Sequence, residues 1–137
     1  MVLLGGSYQP AYDSTIGSEV SRALRRLHAD VVFMSAAAVS LGRLYHPMQS
    51  YAALKEEMLG ASHRHVLLVD SSKFGRHAAF GHGDVSACDA VITDANVPPM
   101  EERAVRELGA RVIVVEVEQS QPPPAPESVT QPLQATS

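Results

Sequence analysis

The sequence has no tryptophan, a single cysteine, and only two lysines against nine arginines in 137 residues. Cys88 alone permits no disulfide within the chain and leaves a cysteine-based zinc site without ligands, so a reducing cytoplasm is the expected compartment. Aromatic residues make up 5% of the chain. Few platforms remain on which bases or sugar rings could stack, and Tyr8, Tyr12, Tyr45 and Tyr51 are the candidates. A basic excess is also missing: the formal net charge is -4, which excludes a chain whose main contact is the phosphate backbone of nucleic acid. No apolar run approaches the roughly 20 residues needed to span a bilayer, and the start Met1-Val2-Leu3-Leu4-Gly5-Gly6 lacks the basic leader of a signal peptide. No membrane partner is expected.

What the chain does have is 45% apolar residues, enough for one domain with a real core. Short apolar runs alternate with helical spacing, which predicts an α/β fold with a parallel sheet flanked by helices. The predicted strands are Met1 to Leu4, Val31 to Met34, Val66 to Val69, Cys88 to Asp94, and Arg111 to Val115. Asp13, Ser14 and Thr15 are candidate caps for a helix with Val20, Ala23, Leu24 and Leu27 on one face. A second helix has Tyr51, Leu54 and Met58 on one face and Gly60 as its stop, and a third follows Pro98-Pro99 with Glu101 and Glu102 in its first turn. The segments Val39 to Met48 and Asp70 to Gly83 are expected as loops, the second long enough to suggest function. From Glu118 the composition turns to Gln, Ser, Pro, Ala and Thr, so residues 118–137 are expected as a disordered tail on a domain of residues 1–117.

The strand at Val66 to Val69 breaks abruptly into Asp70-Ser71-Ser72-Lys73-Phe74-Gly75-Arg76. Continuous Val and Leu suit a strand covered on both faces, with the polar cluster at its carboxyl end, where open α/β folds place their ligands. Lys73 there suits an anion such as a phosphate, and equally a solvated lysine paired with Asp70. Gly5-Gly6 could let backbone amides approach a phosphate, although a plain turn accounts for the pair and the dinucleotide fingerprint is incomplete. Ser35-Ala36-Ala37-Ala38 could form the floor of a ligand site or simply permit close helix packing. His63, His65, His77 and His82 invite a metal reading, but no acid or cysteine completes a set. Ser71 and Ser72 lack a nucleophile elbow, Cys88 reads as a buried thiol, and the pairs Glu56-Glu57 and Glu101-Glu102 read as solvated helix faces.

Taken in order, Leu4-Gly5-Gly6, Ser14-Thr15-Ile16-Gly17, Asp30-Val31-Val32-Phe33, Val69 to Arg76, and Ile92-Thr93-Asp94 resemble the C-terminal effector-sensing domain of DeoR-type bacterial transcriptional regulators. The Asp-Ser-Ser-Lys-Phe-Gly segment is the most specific of these motifs. The resemblance implies a Rossmann-like three-layer fold shared with ribose-5-phosphate isomerases and CoA transferases, and a pocket for a phosphorylated sugar or related metabolite, with no cofactor. It implies Lys73 as the phosphate partner beside Asp70, with Gly5, Gly6, Ser35 and His46 lining the mouth. It further implies DNA contact through a helix-turn-helix that this chain lacks, along with the sensor's opening strand-helix portion, and a homo-oligomeric assembly. At the family's Gly-Ala-Asp-Gly-like turn this chain has Ala37 in place of the acid and Ala38 in place of the second glycine. A sugar-phosphate isomerase of the same fold needs a positioned carboxylate base, so the missing acid favours a non-enzymatic sensor. A structural or oligomerisation module without a ligand is the third reading.

Overall fold

A computed structural model of the chain describes residues 1–116; the tail expected at 118–137 lies outside the described residues. Nine strands and three helices are built among them. The central element is a parallel sheet of β3 (Ala29–Met34), β6 (Ser62–Leu68), β8 (Ala90–Asp94) and β9 (Arg111–Val115), hydrogen-bonded in that order. Helix α2 (Gln49–Gly60) connects β3 to β6 and α3 (Pro99–Glu107) connects β8 to β9. The α/β class and the flanking helices agree with the sequence pattern, because the apolar runs are short and helices α2 and α3 separate β3 from β6 and β8 from β9.

Strand order follows chain order, so every crossover in a right-handed fold returns on the same side of the sheet. The pairing register puts Met34, Leu67, Val91 and Val112 on that side, and all four belong to the main core with Val105 of α3, while Met58 and Leu59 of α2 pack against it. The other face carries Val31, Phe33, Val66, Leu68, Ile92, Ile113 and Val115 by the same register. There Phe33 is 62% and Leu68 43% exposed. The expected cover on both faces therefore holds at Val66 and Leu67 and fails at Leu68.

Further expectations are corrected. Met1 to Leu4 forms no strand: it has no pairing partner among the described residues, and Met1, Val2 and Leu3 are exposed. Instead β1 (Ser7–Gln9) and β2 (Ser14–Ile16) form an antiparallel hairpin around a short helical turn at Pro10–Tyr12. Ser14 and Thr15 are thus strand residues rather than caps, and Gly17 takes the cap position of α1 (Ser18–Leu24). The Ser14 hydroxyl is engaged elsewhere, 2.7 Å from the Tyr51 hydroxyl. Gly60 does not stop α2 but lies in its last turn, ahead of Ala61 as the cap residue.

The segments expected as loops hold a second sheet, in which β5 (Arg43–His46) pairs with both β4 (Ala38–Ser40) and β7 (Phe80–Asp84) in antiparallel fashion. The β4–β5 turn is Leu41-Gly42, both with positive φ of 47° and 80°, as a two-residue hairpin turn of matching twist requires. Glu101 fixes this turn: its Oε2 accepts the Leu41 N–H at 2.7 Å, and the residue is buried. The solvated face expected at Glu101-Glu102 is accordingly wrong for Glu101, while Glu102 pairs with Arg106 one turn on.

Candidate functional site

At the carboxyl ends of β3 and β6 a cavity of about 270 Å³ is lined by Tyr12, Ser35, Ala36, Ala37, His46, Lys55, Leu68, Val69, Asp70 and Lys73. The chain ends its buried strands there because the apolar runs give way to small and polar residues, which leave room and supply donors. The structure brings Ser35, His46, Asp70 and Lys73 together. It does not bring Gly5 and Gly6, which have φ of +85° and +88° and sit against the hairpin and α1; a Cβ on Gly6 would lie 2.5 Å from the Ile16 carbonyl oxygen and 2.7 Å from Val20. Gly6 serves close chain packing at that turn, and Gly5 supplies a positive φ.

The Asp70 to Lys73 segment is pinned by two carboxylates. Asp70 accepts the Ser72 N–H at 2.9 Å and the Ser72 hydroxyl, and these bonds, the hydroxyl first, lower its pKa despite some burial. From the end of β8, Asp94 accepts the Ser71 N–H at 2.6 Å and the Asn96 N–H at 2.9 Å. Those backbone donors hold its pKa at about 2. The acids that close two of the apolar runs are thus loop anchors. Asp94→Ala is expected to leave both amides without their acceptor: hydrogen exchange at Ser71 should accelerate and the melting temperature fall, and unchanged exchange at Ser71 would show that the loop holds itself.

His46 ends β5 inside an aromatic group. Its ring stacks on Tyr51 at 4.8 Å and 24°, with Tyr12 5.7 Å away and tilted. Its Nδ1 accepts the Met48 N–H at 3.0 Å, which leaves the ring proton on Nε2. Burial lowers its pKa, and the charge of Lys55 lowers it further, against the backbone contact at Met48. Behind it, His82 on β7 is 1% exposed with neither ring nitrogen hydrogen-bonded. Burial foremost, then Lys55, holds its pKa at about 4.

Lys55 also lines the site, which the helical pattern does not indicate, together with Tyr12, one of the four candidate stacking platforms. Lys55 lies one helical turn after Tyr51, so the two share a flank of α2, and its ammonium donates to the Ser35 carbonyl. Its signal was available: it is one of only two lysines in the chain, and both line this cavity. Of the two histidine candidates on β6, His65 is structural, since its ring nitrogens lie 2.7 Å from the Ala87 carbonyl and 2.9 Å from the Leu59 carbonyl. Cys88 is buried, with its thiol pushed up to about 11 by burial first and then by Asp89 and Asp84.

Residues 1–95 match the model of the DeoR C terminal sensor domain. The chain belongs to this family. Among relatives of this DeoR sensor are the L-fucose operon activator of Haemophilus influenzae, 30% identical over 71% of the chain and 39% of the relative, and the glycerol-3-phosphate regulon repressor of Escherichia coli K12, 33% identical over 72% and 39%. A putative aga operon transcriptional repressor of Escherichia coli O157:H7 is 27% identical over 84% of the chain and 43% of its own length. The DeoR sensor thus spans less than half the length of these relatives, all of them transcriptional regulators by name. Among the described residues, no helix is long and apolar enough to cross a membrane.

Proposed function

We propose that this DeoR sensor is the effector-binding part of a cytoplasmic transcriptional regulator and that the cavity at the ends of β3 and β6 takes a phosphorylated sugar or a related small metabolite. The observation that carries the reading is the convergence of both lysines of the chain on one cavity. Asp70 is the one carboxylate among the lining residues, and it is occupied by Ser72. A carboxylate with a lowered pKa, already accepting two hydrogen bonds, is a poor base for moving a proton next to a carbonyl, which supports sensing over isomerisation. Relatives named for fucose, a lactose phosphotransferase system and glycerol-3-phosphate suggest the metabolite class. DNA contact falls to a helix-turn-helix outside this chain, in keeping with the net charge of -4.

Thermal shift with glucose 6-phosphate, glycerol 3-phosphate and their unphosphorylated counterparts tests the reading. The phosphorylated probes should raise the melting temperature and the others should not; no difference between the two sets would end it. The apolar face of Val31, Phe33 and Leu68 further supports a homo-oligomer in which a second copy covers it, since a patch of that kind is a poor surface to leave in water. Sedimentation should then show a dimer or larger species that Phe33→Glu dissociates, and a monomer at all concentrations would refute the assembly.

A further inference from the structure

The two lysines of the cavity have different surroundings. Lys73 stands in the helical turn at Ser71–Lys73, and its charge acts on the carboxylate of Asp70 three residues back. An anionic neighbour is already present there. Lys55 is half-buried on α2, and neither of the ion pairs among the described residues includes it. One of its three donors goes to the Ser35 carbonyl, and a neutral oxygen does not balance its charge. The charged and titratable groups that line the cavity with Lys55 are Tyr12 from the first hairpin, His46 on β5, and Asp70 and Lys73 after β6; Tyr51 on α2 stacks on His46, and the charge of Lys55 reaches His82 on β7. The charge of Lys55 acts on both histidines. A half-buried cation that shares its cavity with His46 and has no carboxylate paired to it is unfavourable, and an anion beside it offsets that cost.

We propose that Lys55, with His46 beside it, is the seat of the ligand's anionic group, and that the anion is taken up together with a proton on His46. This rests on reading the cavity as a phosphorylated-metabolite site, and it moves the anion from Lys73 to Lys55. His46 has the local geometry for the change. In the neutral ring Nδ1 accepts the Met48 N–H at 3.0 Å; in the charged ring Nδ1–H can donate to the Met48 carbonyl, 3.3 Å away. An anion beside the ring then offsets the repulsion from Lys55 that disfavours the charged form.

Titrations of the full chain with glucose 6-phosphate and with sulfate, followed by amide shifts, test the assignment. Sulfate keeps its charge from pH 8 to 6, so any pH dependence belongs to the protein. Lys55→Met is expected to weaken glucose 6-phosphate binding roughly thirty-fold and Lys73→Met roughly three-fold, with Lys55→Arg retaining most of the affinity. Without ligand, Lys55→Met should melt higher than the unaltered chain, because a half-buried charge is gone. Sulfate should bind roughly five-fold more tightly at pH 6 than at pH 8, and His46→Gln should abolish that difference. A greater loss in Lys73→Met than in Lys55→Met overturns the assignment and leaves the reading of the cavity intact. Sulfate affinity independent of pH overturns the proton uptake. Equal response of the unaltered chain to glucose and glucose 6-phosphate overturns the cavity reading and the assignment together.

Discussion

Acidification from pH 6.5 to about 4 is expected to lower the unfolding free energy by about 3 kcal/mol, with His82 as the main source. The buried ring has its folded pKa near 4, below the value of 6.5 for a free histidine. Between those values the unfolded chain binds a proton that the folded chain refuses, so stability is complete above pH 6.5 and is lost as the pH falls toward 4. His46, lowered for the same reason, adds to the slope in the same direction. A second fall follows below the ordinary carboxylate range, as Asp94 is protonated near its pKa of about 2 and releases Ser71 and Asn96. His82→Leu removes two buried nitrogens without partners and should therefore stabilise the protein at neutral pH by about 1–2 kcal/mol. Urea unfolding of this variant from pH 4 to 7 should show the upper step reduced to the smaller slope that His46 leaves. A slope equal to that of the unaltered chain would place its origin elsewhere.

The parallel sheet was legible because its strands are short apolar runs and two of its three crossovers carry a helical pattern. The second sheet was not. Ala38-Val39-Ser40 is too short to carry a period, and Phe80-Gly81-His82-Gly83-Asp84 holds two glycines, so nothing local distinguishes either from a loop. Both are strands only because β5 lies between them. The turn that begins this sheet was also hidden, since Leu41 stands at a positive φ where Asn or Asp would have signalled a hairpin. At the site, the loop of Asp70 to Lys73 could be read from its abrupt change of chemistry. Lys55 could not be read so directly, because a lysine on a helix is ordinarily solvated and only its tertiary position makes it a half-buried cation. Gly5-Gly6 shows the reverse: a pattern compatible with phosphate approach that lies outside the cavity, with Gly6 packed against Ile16 and Val20.

Leu67→Ala and Leu68→Ala, neighbours on one strand, are expected to separate stability from binding. Leu67 is fully buried in the core shared by β3, β6, β8 and the helices, and its truncation should cost about 3–4 kcal/mol, a large share of what a domain of this size possesses. Leu68 points to the opposite face, is 43% exposed and lines the cavity. Its truncation removes little buried surface and should cost under about 1 kcal/mol, while changing affinity for a phosphorylated probe more than Leu67→Ala does in the fraction that remains folded. Chemical unfolding paired with ligand titration checks both. Equal destabilisation by the two changes would mean that the second face of the sheet is covered in solution, as it would be if another copy of the chain packs against Phe33 and Leu68. Under that outcome the loss at Leu68 should grow with protein concentration, because the cover that buries it is itself a bimolecular equilibrium.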